Sequence, residues 1–418
     1  METVIQDQGT SSRSDPIAAN DRPPEIAGPN LVVRWAFYVS AFSIPFMSLY
    51  LPGTGERFGV LRLVQLWLLV GVISQPRVCL RLVPVALLWF GAYCAIRLVS
   101  GLWLAPELSG SWWPSTLGWL QFSLPWLWIG FNLLQYSEVR RPGLWSFALG
   151  SSLCALLHVL GIGVSTVDNN IEEGRTTVFG ENANVVGATY ALAVIVLVGL
   201  GMFKDLRLSR RLLLVPLVAL VGFALAKTGS RTALLLVAMG LVVLLFQAES
   251  FWSRPKRYAS MAVIGSVLLV IVWEVPTIME RFRDIDPQNL GQHNPRARMA
   301  PVLWEMFLRS PVYGSGPDQY EFELTRRAMP YLIRDQQTIA AHNLVLLLLV
   351  ETGIVGFLIF STGLWKALVS AWKARLSYCG YLPLALLLPF VVAGCVVNNP
   401  ISDQAFWFAI AYALAGAA

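Results

Sequence analysis

The sequence predicts an all-α polytopic membrane protein of about twelve transmembrane helices, with one long, partly helical loop on the periplasmic side. Three observations carry that reading. Of 418 residues, 56% are hydrophobic and only 13% charged, where a soluble domain needs roughly a quarter charged to cover its surface. The apolar residues come in repeated runs of about 17 to 22, the length that crosses a hydrocarbon core as a helix. The basic residues punctuate those runs and form no patch. A net charge of +6 spread in this way points to membrane lipids and excludes nucleic acid as a partner.

Residues 1–30 are polar, contain Pro16, Pro23, Pro24 and Pro29, and have no apolar stretch. They read as a disordered cytoplasmic tail and not as a signal peptide. The first nine spans, within 31–278, are expected near 32–51, 57–74, 82–101, 114–135, 143–164, 183–203, 212–227, 232–247 and 259–278. Three more, within 342–418, are expected near 344–371, 381–397 and 403–418. With the amino terminus inside, the even-numbered connections hold thirteen basic residues, from Arg77 and Arg81 to Lys373 and Arg375. The short odd-numbered ones hold four: Arg57, Arg175, Lys227 and Arg231. This bias sets both termini in the cytoplasm. Trp103, Trp112 and Trp113 fall in an outer connection, as an interfacial aromatic belt does.

The connection 279–341 is long and lies outside in this topology; long loops escape the charge rule, so its eight arginines do not contradict it. Met299, Val302, Leu303, Met306 and Phe307 recur at helical spacing and predict an amphipathic helix over about 296–310, lying against the membrane or the bundle. Gly314-Ser-Gly316-Pro317 then breaks the chain, and a more polar helix is expected to run to about 335.

Few motifs carry chemistry. The five cysteines form no C-x-x-C pair, so neither a disulfide framework nor a zinc site is indicated. Asp284-Ile-Asp286 has the spacing of a metal-binding D-x-D, but that spacing is common in exposed loops. No Ser/His/Asp set, P-loop or H-E-x-x-H occurs. The arginines to weigh are Arg175, Arg231, Arg298 and one of Arg326 or Arg327. A helix-end arginine is ordinarily a snorkelling one. Arg175 and Arg231 nevertheless break the charge bias on the same side, and outward guanidinium groups suit a pyrophosphate. His158 lies inside an apolar helix, as a packing or interhelical hydrogen-bonding group, and His293 in a polar loop. His342 stands at the outer surface just before Asn343, a natural N-cap, and an apolar run. There it could take a proton from a sugar hydroxyl or merely cap the helix. Glu351 ends that run. Unpaired, it would cost roughly 2.5 to 3.5 kcal/mol, so it needs a partner, and a structural ion pair or helix-end contact is its expected role.

These residues fall into a recognisable block: Thr228-Gly-Ser-Arg231-Thr-Ala-Leu-Leu, Arg298 with Trp304, Gly314-Ser-Gly316, Ala341-His342-Asn343-Leu344, and Glu351-Thr-Gly353-Ile-Val-Gly356. Over about 225–360 it resembles the O-antigen ligase and O-antigen polymerase superfamily, which includes the pilin O-oligosaccharyltransferases. An upstream echo, Gly174-Arg175 and Gly180-Glu-Asn182-Ala-Asn184-Val-Val-Gly187, has Ala183 where relatives often show the proline of Asn-Pro-Asn. The resemblance implies a GT-C type glycosyltransferase of the bacterial inner membrane, active at the periplasmic face without metal or cofactor. Its donor would be a glycan on undecaprenyl-pyrophosphate, and its acceptor lipid A–core. Carried over, Arg175, Arg231 and Arg298 would hold the pyrophosphate and His342 would be catalytic, with Asn184, Asn343 and Glu351 as possible supporting residues. Twelve helices and one dominant outer loop favour the ligase within the superfamily. A polymerase joining lipid-linked repeat units, or a related O-oligosaccharyltransferase, is one alternative; a transporter of lipid-linked sugar is another, against which stands the gathering of polar residues outside the spans.

Overall fold

The computed structural model describes residues 28–50, 59–104, 109–166, 176–203, 206, 208–246, 265–266, 295–327, 333–334, 337–338, 343–396 and 400–418. Its helices are α1 (Leu31–Ser43), α2 (Val60–Ser74), α3 (Val85–Leu104), α4 (Ser109–Gly118), α5 (Leu124–Leu134), α6 (Ser137–Val159), α7 (Ala183–Gly201), α8 (Leu208–Lys227) and α9 (Arg231–Leu245). They continue as α10 (Pro295–Arg309), α11 (Gln319–Arg326), α12 (Leu344–Ala374), α13 (Leu382–Val396) and α14 (Gln404–Ala415). A π-helical stretch, Trp119–Ser123, joins α4 to α5. The chain is an all-α membrane protein. Among the described residues, helices coincide with eleven of the expected spans; the ninth, 259–278, lies outside them apart from 265–266. Among the described residues, four helices, α3, α6, α7 and α12, are long and apolar enough to cross a membrane.

Short strands accompany the helices among the described residues. β1 (Val164–Thr166) pairs antiparallel with β2 (Thr176–Val178), and β3 (Ile333–Arg334) with β4 (Gln337–Thr338). The polar helix expected to reach 335 ends at Arg326. Pro330 gives the reason: it lacks an N–H and disfavours helical backbone at the residue before it. The amphipathic helix falls as expected, over Pro295–Arg309.

Two helices form the centre. α7 is buried along almost its whole length and α14 likewise, as suits helices that are apolar on every face. Lipid-facing surface lies elsewhere, in the exposed Leu66, Trp67 and Val70 of α2 and in Leu88, Val99 and Leu102 of α3. Of the tryptophans expected in an aromatic belt, Trp103 and Trp113 are exposed and Trp112 is buried, its ring filling the space beside Gly101.

Close contacts fix which helix ends lie together. A Cβ on Gly187 of α7 would meet Ser230 and Ala233 of α9, and Gly240 of α9 lies against Ile195, so α7 and α9 run parallel. Gly199 meets Leu382, and Gly240 the Ala385 carbonyl, so α13 runs against both. Nine residues on, Gly394 touches Leu344 at the start of α12. The first turns of α7, α9 and α12 therefore share one end of the bundle. α3 runs against α12, since Arg97 meets Glu351 while the Phe90 ring packs at a tilt against Phe360.

The opposite end is where arginines cap helix C-termini. Arg140 donates to the Leu134 and Gln135 carbonyls, Arg211 to Phe203 O at 3.0 Å, and Arg375 to Trp372 O at 2.7 Å. Cations are favoured at the negative end of a helix dipole, so the same residues that bias topology also finish α5, α7 and α12.

Candidate active site

At the first end, side-chain caps order the backbone. Asn182 accepts from Asn184 N, Ser230 from Ala233 N and Asn343 from Leu346 N. The last confirms the N-cap read at Asn343. None of α7, α9 or α12 has an acidic residue in its first turn. Arg231 is instead the first residue of α9 and is exposed. A cation there works against the helix dipole by about 0.3–1 kcal/mol. What the arrangement gains is a positive, donor-rich end suited to an anion.

Asn184 is brought against Ser230, the residue before Arg231. The Ser230 hydroxyl donates to Asn184 Oδ1 at 3.1 Å, directly linking the starts of α7 and α9. Arg175 lies outside the described residues, but its neighbour Thr176 begins β2 and donates to the Lys227 carbonyl at 3.0 Å. The turn Lys227–Ser230 thus receives contacts from both upstream elements. His158 closes the group, its Nε2 2.8 Å from Thr176 Oγ1. That is a hydrogen bond between segments, as expected for a histidine in an apolar helix.

A second group lies on the layer formed by α10, α11 and the first turns of α12. Met299, Val302, Leu303 and Met306 of α10 pack with Tyr320 and Leu324 of α11 and with Leu347 and Val350 of α12. Arg298 belongs to α10, one residue before Met299. His342 lies outside the described residues, and Asn343 is the residue after it. Arg326 and Arg327, weighed as anion ligands from sequence, are tied instead to carboxylates. Arg326 and Arg327 both donate to Glu323 of α11, and Arg327 also donates to Glu305, fastening α11 to α10. Hydrogen bonds from Arg327 and then Arg309 hold the Glu305 carboxyl down at about 2. A hydrogen bond from Arg326, opposed by desolvation and joined by one from Arg327, does the same for Glu323.

Glu351 has the partner its depth demands. It is buried at 1% exposure and ion-paired with Arg97 of α3, itself 2% exposed. Arg97 also donates to Asp318 Oδ1 at 3.2 Å and to Thr116 Oγ1 at 3.0 Å, and sits 4.7 Å over the Trp119 ring. The Asp318 amide donates to Glu351 Oε1 at 3.2 Å. Sequence reasoning called for a partner without naming it. Arg97 was legible as one of very few cations inside an expected span.

The break in α12 was not foreseen. Gly353 takes φ 63°, ψ −167°, against the backbone of Val312, a conformation and approach that leave no room for a Cβ. The backbone groups it frees are met by the segment after α10: Ser315 N donates to Val350 O at 2.7 Å, Gly316 N to Glu351 O and Ile354 N to Pro311 O. The break also makes sense of length. At ~1.5 Å per residue α12 spans ~46 Å, well beyond a ~30 Å hydrocarbon core. The part after Gly353 suffices to cross, which leaves the first turns to the α10–α11 layer. Broken helices in transporters turn their free ends and ionisable groups towards substrate; here both are occupied by the protein itself.

Residues 216–361 match the family model described as O-antigen ligase. The matched stretch contains Arg231, Arg298, His342, Asn343 and Glu351; Arg97, Arg175 and Asn184 lie before it. No curated protein matches the chain.

Proposed function

We propose that this chain, whose residues 216–361 match the family model described as O-antigen ligase, belongs to that family and transfers O-antigen polysaccharide from undecaprenyl-pyrophosphate to a sugar hydroxyl of lipid A–core. Members of this family are glycosyltransferase-like enzymes, and lipid-linked glycan and lipid A–core are the partners the family implies. The observation that carries the reading is the convergence at one bundle end, within and beside the matched stretch. The starts of α7 and α9 are joined there through Asn184 and Ser230, next to the start of α12.

In this reading the protein sits in the bacterial inner membrane with both termini in the cytoplasm and that end in the periplasm. Arg175, Arg231 and Arg298 hold the pyrophosphate. Glycosyl transfer passes through an oxocarbenium-like centre while negative charge grows on the departing phosphate oxygen. Fixed guanidinium groups in a partly water-excluded pocket stabilise that charge without reorganising. His342 aligns or deprotonates the acceptor hydroxyl on the opposite face of the sugar, so one displacement inverts the anomeric centre and no metal is needed. Asn343 fixes the helix start beside His342, while Asn184 and Glu351 support the framework.

The test is the lipopolysaccharide of cells carrying His342→Ala. A general base contributes about a hundredfold to ten-thousandfold in rate. A ligase variant leaves core without a ladder, with long chains accumulating on undecaprenyl-pyrophosphate. Core bearing a single repeat unit would instead reassign the chain to polymerisation, and a normal ladder would remove His342 from the chemistry.

A further inference from the structure

We infer that His158 is a positioning residue for the pyrophosphate site, acting through Thr176 on the turn that precedes Arg231. The inference rests on the reading above that Arg231 helps to hold the pyrophosphate. Its own ground is a chain of hydrogen bonds whose directions the chemistry fixes.

The Lys227 carbonyl can only accept, so the Thr176 hydroxyl spends its one proton there, at 3.0 Å. Towards His158 Nε2, 2.8 Å away, Thr176 Oγ1 is therefore an acceptor, and Nε2 carries the hydrogen. On the other side of the ring, Nδ1 lies 3.4 Å from the Tyr190 hydroxyl of α7. The imidazole, wholly buried near the end of α6, thus spans from α7 to Thr176, the first residue of β2.

Each link has a consequence for the site. β2 starts one residue after Arg175, and Lys227 opens the turn that ends at Ser230, the cap before Arg231. Gly161 and Gly163, both at positive φ, turn the chain after α6 back into β1, so β2 returns beside the helix end that bears His158. The pairing β1–β2 has only three rungs, too little to fix a register by itself. The His158–Thr176–Lys227 chain supplies what the short hairpin lacks: it sets the height of residue 176 against the turn before α9. Packing alone needs neither the hydroxyl of Thr176 nor an N–H at the Nε2 position.

The experiment measures binding of undecaprenyl pyrophosphate to the full chain in lipid nanodiscs, with the unfolding temperature of every variant recorded alongside. Thr176→Val keeps shape and removes the hydroxyl; His158→Asn places an amide where Nδ1 was, and His158→Gln one where Nε2 was. Losing a hydrogen bond of ordinary net strength predicts a roughly three- to tenfold weaker Kd for Thr176→Val and His158→Asn. His158→Gln and Thr176→Ser restore binding, and the double variant His158→Asn/Thr176→Val is no weaker than the worse single one, since both cut the same chain. Arg231→Ala separates the layers of the argument. If Arg231→Ala weakens binding while Thr176→Val and His158→Asn bind as wild type, the positioning role is refuted and the arginine site stands. If Arg231→Ala also binds as wild type, the pyrophosphate reading fails and takes this inference with it. Weakening that follows the fall in unfolding temperature, with no rescue by Gln or Ser, assigns His158 to packing and refutes the inference as well.

Discussion

Arg97 offers the sharpest test of the architecture, because it holds α3, the break in α12 and the segment after α10 with one guanidinium group. Replacing it with Met removes the charge but keeps most of the volume. Glu351, at 1% exposure, is then left as a buried carboxylate with Asp318 beside it. Breaking a buried pair by removing one partner costs about 3–5 kcal/mol. A second route gives the same scale: neutralising a carboxylate of reference value ~4.3 at pH 7 costs about 3.7 kcal/mol at ~1.36 kcal/mol per pH unit. Removing both partners is different. An apolar pair of similar volume is often neutral or stabilising, because the desolvation penalty disappears with the charges. Arg97→Met and Glu351→Met should therefore each lower the unfolding temperature in nanodiscs strongly. The double variant should recover most of the loss, with Asp318, at 18% side-chain exposure, able to turn towards water. Limited proteolysis gives a local readout, since the singles should expose residues 311–318 first. Additive losses, or an Arg97→Met variant as stable as wild type, would refute the pair as the element that closes the break.

Arg175→Ala and Arg231→Ala should each abolish most transfer in a purified assay while the protein remains inserted, and Lys should rescue poorly because a point charge lacks the paired geometry. Arg210→Ala should be close to silent, and damage equal to that of Arg231→Ala would leave charge placement as the explanation. Single cysteines test the orientation: in intact cells with a permeabilised outer membrane, an impermeant reagent should label position 290 and spare 208, and the reverse pattern overturns the topology. The ion pairs between α10 and α11 should not weaken between pH 8 and pH 5. Glu305 and Glu323 are held down at about 2 against a reference of 4.5, so their contribution is full above that reference and fades as pH falls towards 2. Proteolytic release of this layer already at pH 6 would contradict that assignment.

What was legible in the sequence follows the reach of the physics that writes it. Bilayer thickness acts on contiguous residues, so spans and the amphipathic helix over Pro295–Arg309 could be read from run length and period. Desolvation acts on single residues, so the need of Glu351 for a partner was readable from its depth alone. Pairings that cross the chain leave no such local mark. Arg97 and Glu351 are 254 positions apart, and nothing in either neighbourhood names the other. The break at Gly353 was hidden for a related reason: close to runs as apolar as Leu344–Val350 and Ile354–Phe360 a glycine reads as an ordinary helix residue. Only the approach of Val312, fixed by tertiary packing, makes its left-handed conformation necessary.

The same distinction governs the site. Arg231 stood out because it violated a charge bias, and the structure adds a second anomaly at the same residue, a cation at the positive end of α9. A bound anion at that helix start would offset the cost against the dipole. Arg326 and Arg327 show the contrast. They too are outward arginines, yet each is matched by a carboxylate within one helical turn or on the facing helix. Arg326 spends its charge within α11, and Arg327 also ties α11 to α10. Arg231 carries its charge to the end of the bundle where α7, α9 and α12 begin without an acidic residue in any first turn. Function is therefore sought first where a charge works against its own helix dipole.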